Sequence, residues 1–192
     1  MKRRLIIAIV LTITLGTATA IIVILQNRHS RVRRADVAEV GRELYSQLQS
    51  SDPAERSIAV SQLAANVDLG FHDLKPALKA LRSDPSQRVR ERAALALALC
   101  LTRQSEPRKL QILSSLLDAM TEDPSADVRR FISYLVSDSL HGLLGEESPE
   151  FQNKVINLSV PYLEKALEDS DADVCEHAEW ALDIVQTSVE NH

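Results

Sequence analysis

The sequence predicts an all-α protein whose helices stack in pairs, and three observations support this fold. The motif DPSQRVR at residues 84–90 returns as DPSADVR at 123–129 and, less closely, as DSDADVC at 169–175. The central valines, Val89, Val128 and Val174, lie 39 and 46 residues apart, a period typical of helical solenoids. Only five glycines and 4% aromatic residues are present, with Ala and Leu filling the repeats. We therefore predict a short right-handed α-solenoid of about four helix hairpins, preceded by one transmembrane helix.

Apolar residues that recur every three or four positions define the helices of each pair. The predicted ranges, taken two by two along the chain, are 36–48 with 53–67, 71–81 with 85–101, 107–120 with 124–140, and 149–167 with 171–189. Each helix of this kind can bury its apolar face only against its neighbours in the stack. The pattern therefore indicates one continuous core shared by all the repeats.

Aspartate followed by proline marks three of the predicted helix starts. Asp52, Asp84 and Asp123 each precede a proline, which favours a carboxylate N-cap with proline at the first helical position. Gly142 predicts a helix end, and residues 143–147 are expected to form a loop that accounts for the longer second period. Ser148, before Pro149, predicts the N-cap of the next helix.

The first 27 residues predict a membrane anchor. Residues 5–25 are uncharged, and 21 residues at about 1.5 Å each would span roughly 31 Å, close to the hydrocarbon thickness of a bilayer. A basic juxtamembrane linker, 28–35, then leads to the solenoid at 36–189. The alternative is a secretory signal cleaved after Ala18-Thr19-Ala20, which would remove residues 1–20 but would leave residues 21–25 as an exposed apolar start.

Charge is distributed unevenly along the chain. The first 34 residues hold seven of the 22 Lys and Arg and none of the 27 Asp and Glu, leaving a body near −12. An acidic body disfavours nucleic acid as a partner and favours a protein partner with a basic surface. Positive residues nearly balance across the predicted span. The short basic head favours an extracytoplasmic body, whereas the four arginines at 28–34 favour the opposite side.

The motif resembles the HEAT repeat. The resemblance covers about residues 36–189 and depends on a proline in the first helix (Pro76, Pro161), then Leu, then Asp, then Val-Arg, then Ala one turn later. It implies that the charged residues of the second and third motifs, Asp84, Arg90, Asp123 and Arg129, bond along the stack, and that the valines pack between repeats. The predicted stacking residues are therefore Asp84, Val89, Arg90, Asp123, Val128, Arg129 and Val174. The first unit lacks the Val-Arg pair and the last has Cys175 in place of Arg, which suits capping units.

Two columns of side chains on the second helices are the candidate partner-binding surface. At 100° per residue from the core valines, one column contains Arg92, Phe131 and His177, and the other contains Leu95, Tyr134 and Trp180. The resemblance implies that second helices line the concave face of the stack, where aromatic anchors supply most of the binding energy of an interface. The alternative is that these side chains only fill gaps between repeats or cover the end of the stack.

No catalytic, cofactor or metal site is predicted. The sequence contains no glycine-rich phosphate loop and no nucleophile elbow. Asp169–Asp173 fails the EF-hand spacing, and Cys175 with His177 lacks a second ligand pair. The acidic stretch 164–183 is either a solvated face or a docking surface. We expect a membrane-anchored protein-binding scaffold or assembly factor; a HEAT-like lyase and a purely structural spacer are the alternatives.

Overall fold

The computed structural model of the protein describes residues 39–65, 73–146 and 148–190. All regular structure within these ranges is α-helical, in eight helices. The first covers residues 39–47 (α1), and the others are α2 Pro53–Ala65, α3 Lys75–Ser83, α4 Gln87–Leu101, α5 Glu106–Glu122, α6 Ala126–Glu146, α7 Pro149–Ala166 and α8 Ala172–Glu190. The all-helical repeat fold is therefore confirmed. By compactness the chain divides into residues 1–42 and 43–192, and helices α2 to α8 lie in the second unit.

The helices form two layers. The second helices of the pairs, α2, α4, α6 and α8, pack against one another in sequence, while α3, α5 and α7 pack in the other layer. Side chains buried between the layers form one continuous core, in which Val89, Val128 and Val174 have no exposed surface. A hydrogen bond also links α5 and α7 in that other layer: the Tyr162 hydroxyl donates to Asp118 Oδ1 at 2.9 Å.

Helix α6 corrects one prediction. Gly142 was expected to end the helix and residues 143–147 to form a loop, but α6 continues through both Gly142 and Gly145 to Glu146. Leu143 and Leu144 are buried, and each contributes about 1.5–3 kcal/mol, whereas a helical glycine costs about 1 kcal/mol. The longer second period is therefore accommodated mainly by extra helix, since α6 has 21 residues and α4 has 15.

Two of the predicted N-caps are also wrong. Asp84 and Asp123 are the C-caps of α3 and α5 and have extended backbones, with ψ of 132° and 134°. The residue before a proline is disfavoured in the helical region, which explains why α3 and α5 end at Ser83 and Glu122, while α4 and α6 begin at Gln87 and Ala126. Each carboxylate instead accepts the amide two residues later, at 2.9 Å in both turns.

Other predicted boundaries hold more closely. Helix α2 begins at Pro53, and Asp52 Oδ1 accepts the Ala54 amide at 2.8 Å, as a capping carboxylate does. Ser148 caps α7 by accepting the Phe151 amide at 3.4 Å. Helix α3 begins at Lys75 rather than at residue 71, which lies outside the described residues.

The membrane prediction falls outside the described residues. Residues 1–27 and 28–35, and with them the expected span 5–25, precede the first described residue. Across 39–65, 73–146 and 148–190, no helix combines the length and the apolarity that crossing a bilayer requires.

Candidate functional site

Three arginine–aspartate pairs join successive second helices to the turns of the following repeat. Arg56 binds Asp84, Arg90 binds Asp123, and Arg129 binds Asp169. Each pair is bidentate: Nε to one carboxylate oxygen at 2.7–2.8 Å and Nη2 to the other at 2.9 Å. We call these three pairs the arginine ladder. Their planar geometry gives each repeat a fixed register on the next.

The arginine ladder also ties each turn to its own helix. Arg90 Nη1 donates to the Asp84 carbonyl at 3.0 Å, and Arg129 Nη1 donates to the Asp123 carbonyl at 2.9 Å. One guanidinium therefore satisfies a carbonyl of its own repeat and the carboxylate of the next repeat. In the first unit the same position is filled by Arg56, which donates to the Ser50 carbonyl at 2.9 Å. In the last unit Cys175 Sγ contacts the Asp169 carbonyl at 3.2 Å.

Arg56 and Asp169 are members that sequence reasoning missed. The first unit has Glu55 before its arginine instead of valine, so the Val-Arg motif does not identify it. The signal that could have found Arg56 is its position six residues after Ser50, because Arg90 and Arg129 stand six residues after Asp84 and Asp123. The ladder therefore lacks its aspartate in the first unit and its arginine in the last.

Ion pairing shifts the pKa values of Asp84, Asp169 and the three arginines of the ladder. Burial opposes ionisation of Asp84, but the bonds from Arg56 and from the Ser86 amide outweigh it and lower the pKa of this carboxyl. For Asp169, the bond from Arg129 is the largest effect and also lowers its pKa. Bonds to the aspartates raise the pKa values of Arg56, Arg90 and Arg129. These two carboxyls and three guanidiniums are therefore held in their charged forms.

The candidate partner-binding residues lie on the exposed side of the second-helix layer. Arg92 is exposed, Leu95, Phe131 and His177 are half-buried, and Tyr134 and Trp180 are 50% and 46% exposed. The same helical faces carry Ile58 and Leu99, which are 56% and 63% exposed and which the sequence analysis did not single out. We call this set of residues the second-helix face: Ile58, Arg92, Leu95, Leu99, Phe131, Tyr134, His177 and Trp180.

The structure brings the second-helix face together in two places. Between α4 and α6, a groove of about 560 Å³ is lined by Arg92, Leu95 and Phe131, together with Gln87, Arg88 and Glu91. Between α6 and α8, the rings of Tyr134 and His177 meet edge to face with centroids 5.9 Å apart. Trp180 lies one turn beyond His177 on α8, and its ring remains nearly half exposed.

Hydrogen bonds orient His177 on this face. Its Nδ1 lies 2.9 Å from Ser133 Oγ, and Ser133 Oγ lies 2.8 Å from the Arg130 carbonyl oxygen. Ser133 therefore connects the imidazole of His177 to the backbone of α6. Ser137 Oγ donates to the His177 carbonyl at 2.9 Å, so α8 is attached to α6 by two serines.

Acidic side chains on α8 occupy positions whose equivalents on α6 are buried. Glu179 and Asp183 on α8 are exposed, and they stand at the repeat positions of Ser133 and Ser137 on α6, which are buried against α8. Carboxylates there give the last described helix a polar outer side, as terminal repeats require. Part of the acidic stretch 164–183 therefore faces the end of the stack.

Metal ligands do not cluster in the described part of the chain. Among residues 39–65, 73–146 and 148–190, no group of three or more His, Cys, Asp or Glu has the arrangement that a metal ion needs. Cys100 is buried, and burial raises the pKa of its thiol to about 11, so this thiol stays protonated at neutral pH.

Comparison with known proteins supports the repeat architecture. Residues 41–135 match the profile of the family described as HEAT repeats. No curated protein matches the chain significantly in sequence. Among solved structures, an engineered protein from a structural genomics consortium superposes with a TM-score of 0.54 at 19% identity, covering 74% of this chain and 36% of its own.

Designed armadillo repeat proteins are similar in fold. One superposes with a TM-score of 0.52 at 20% identity, covering 74% of this chain and 63% of its own. Another, from a set computationally designed for modular peptide recognition, gives 0.51 at 20% identity, covering 77% of this chain and 68% of its own. This chain thus spans about a third of the first matched structure and just under two thirds of the second. At these identities the likeness concerns the fold, which is a HEAT- and armadillo-like α-solenoid.

Proposed function

We propose that this protein is a binding module that holds a segment of a protein partner on its second-helix face. The observation that carries the proposal is the exposure of Leu99, Tyr134 and Trp180, one large apolar side chain from each of three successive second helices. Exposed apolar groups gathered on one face typically mark an interaction surface. Tyrosine and tryptophan are also the residues that contribute most to interfaces.

The architecture supports the same proposal. HEAT- and armadillo-like solenoids typically bind other proteins, and their fold is typically non-enzymatic. One of the structural neighbours was designed for peptide recognition, so an extended segment is a suitable occupant for a face of this kind. The body beyond residue 34 is near −12 in charge, which supports a partner with a net basic surface. Scaffolding or assembly of a complex is the role we assign.

Photocross-linking in cells tests the proposed face with a matched control. A photoreactive phenylalanine analogue replaces Tyr134 in one variant and Tyr45 in another; both tyrosines are exposed, at 50% and 37%, but Tyr45 belongs to α1. Position 134 is expected to give a discrete cross-linked product containing a second protein, and position 45 is expected not to. Trp180→Ala in the same variant should weaken that product.

Two results would argue against the proposed face. Equal products from positions 134 and 45 would show that contact is unrelated to the second helices. The absence of any product at 134, with normal cell behaviour of Tyr134→Ala and Trp180→Ala, would favour a purely structural spacer.

We further propose that residues 5–25 tether the module to a membrane. The support is their uncharged sequence and the basic residues on both sides, Lys2–Arg4 and Arg28–Arg34. The full-length chain should remain in the membrane fraction after carbonate washing, and a chain lacking residues 1–34 should not. Mass spectrometry of the mature protein separates this tether from a cleaved signal, which would remove residues 1–20.

A further inference from the structure

The groove between α4 and α6 differs in charge from the rest of the protein body. Its lining contains Arg88 and Arg92 beside the apolar side chains of Leu95 and Phe131. Glu91, the one acidic residue of the lining, accepts a hydrogen bond from Gln87 Nε2 at 3.0 Å. The groove therefore combines a positive rim with apolar walls in a body that is acidic overall.

The two groove arginines differ from the other arginines of the second helices in their pairing. Arg56, Arg90, Arg129 and Arg130 all form ion pairs with aspartates. Arg88 and Arg92 are exposed and form no ion pair with any residue that the structure describes. Arginine binds carboxylates with planar, two-pronged geometry, so an acidic side chain of a partner is the complementary group here.

The opposite end of the second-helix face is acidic. Helix α8 contains five acidic residues and no Lys or Arg between Ala172 and Glu190. Asp173 is paired with Arg130 at 3.0 Å, while Glu176 is exposed beside His177 and Trp180 on the face. A basic side chain of a partner is the complementary group at this end.

The distance between the two ends sets the length of the segment. Helices α4, α6 and α8 are successive neighbours in one layer, and packed helices lie about 8–10 Å apart, so α4 and α8 are separated by roughly 20 Å. An extended chain covers about 3.3 Å per residue, so about six residues bridge that separation. Between the charged ends, α6 presents Phe131 and Tyr134.

We infer that the segment bound by the second-helix face is an extended, dipolar stretch of a protein partner. It carries acidic residues over the α4–α6 groove, apolar residues over α6, and basic residues over α8 about six residues away. This inference rests on the proposed function and adds the chemistry of the partner to it. A partner with a net positive charge complements the acidic body as a whole. At Arg88 and Arg92, however, the complementary group is a local acidic side chain of that partner.

Fluorescence of Trp180 tests the inference directly, because the chain has only one tryptophan and it lies on this face. Two synthetic peptides of about ten residues without tryptophan are titrated into the full-length protein at low salt. They have one composition, with acidic, apolar and basic residues either in three blocks or interleaved. The block peptide is expected to shift the emission and to bind about tenfold more tightly, as two or three surface ion pairs allow.

Charge reversal supplies the matched variants. The double change Arg88→Glu and Arg92→Glu should lower the affinity for the block peptide about tenfold and raise it for a peptide with basic residues at both ends. Lys79→Glu with Arg82→Glu on α3 makes the same change in net charge at exposed positions of the other layer. That control should leave the affinity for the block peptide within about twofold of the unchanged protein.

The outcomes separate this inference from the proposed function. Equal binding of the block and interleaved peptides, or equal effects of the two charge reversals, would overturn the dipolar segment and leave a binding face. A silent titration combined with a cross-linked product from position 134 would do the same. A silent titration without any such product would overturn both.

Discussion

At the scale of single residues, the arginine ladder is the feature most sensitive to substitution. The side chains of Arg90 and Asp123 are only 10% and 3% exposed, and they satisfy each other's hydrogen-bonding groups. Removing one partner leaves the other as a buried charge without its counterion. The pair therefore sets the register between repeats. Removing one of its two side chains lowers the free energy of unfolding by more than the intact pair contributes to it.

We predict that Asp123→Ala lowers the free energy of unfolding by about 3–5 kcal/mol, because the guanidinium of Arg90 loses its buried carboxylate. Arg130→Ala is the matched control: Arg130 also pairs with aspartates, but its side chain is 42% exposed, so water screens these pairs and the expected loss is much smaller. Urea denaturation followed by circular dichroism measures both. Similar losses in the two variants would show that burial does not distinguish the ladder from surface pairs.

Sequence reasoning singled out four of the six ladder residues, Asp84, Arg90, Asp123 and Arg129, but only one of the three pairs joins two of them. The structure pairs Arg90 with Asp123, whereas Asp84 pairs with Arg56 and Arg129 pairs with Asp169. Arg56 and Asp169 were missed because the first and last copies of the motif are altered around them. Which aspartate each arginine reaches depends on the packing of one repeat on the next, and local sequence does not contain that distance.

At the scale of helices, α6 shows how tertiary burial overrides a local signal. Gly142 and Gly145 favour a helix end, yet the helix continues because Leu143 and Leu144 are buried beyond the first glycine. In addition, Gln152 Nε2 on α7 donates to the Leu144 carbonyl at 2.8 Å, satisfying a group that the end of the helix leaves open. Neither contact is visible in the periodicity of residues 126–146.

We predict that Gly142→Ala and Gly145→Ala each raise the free energy of unfolding by about 0.5–1 kcal/mol, since alanine is the better helix former. A Cβ atom at either position has nothing within 4 Å, so no clash offsets the gain. The expected rise in melting temperature is about 2–4 °C per kcal/mol. A lower melting temperature for Gly142→Ala would instead mean that the residue ends the helix, as its sequence context indicates.

At the scale of the described stack, the last described repeat departs from the ladder pattern. Cys175 replaces the arginine that would reach forward, and Glu179 and Asp183 replace the small residues Ser133 and Ser137 that α6 buries against α8. These changes make the outer side of α8 polar. A repeat with a polar outer side remains soluble where an apolar side would attract another copy.

We predict that Glu179→Val with Asp183→Val causes self-association, because it creates an apolar strip on the outer side of α8. Glu106→Val with Glu150→Val changes the net charge equally at exposed positions and serves as the control. Sedimentation velocity over a range of concentrations compares the two. If both variants sediment like the unchanged protein, the carboxylates are not what limits stacking at this end.

The sequence by itself determined the fold class, the four helix pairs, the buried valines and the columns of the second-helix face. These properties follow from periodicity and from the repeated motif, which are local or recur along the chain. Tertiary structure alone decided how far α6 extends and that Asp84 and Asp123 cap the ends of the preceding helices instead of the starts of the following ones. It also decided that Arg88 and Arg92 lie in a groove without an acidic partner among the described residues. Those outcomes depend on which side chains meet across repeats, because burial and pairing energies between helices outweigh the weaker preferences within each helix.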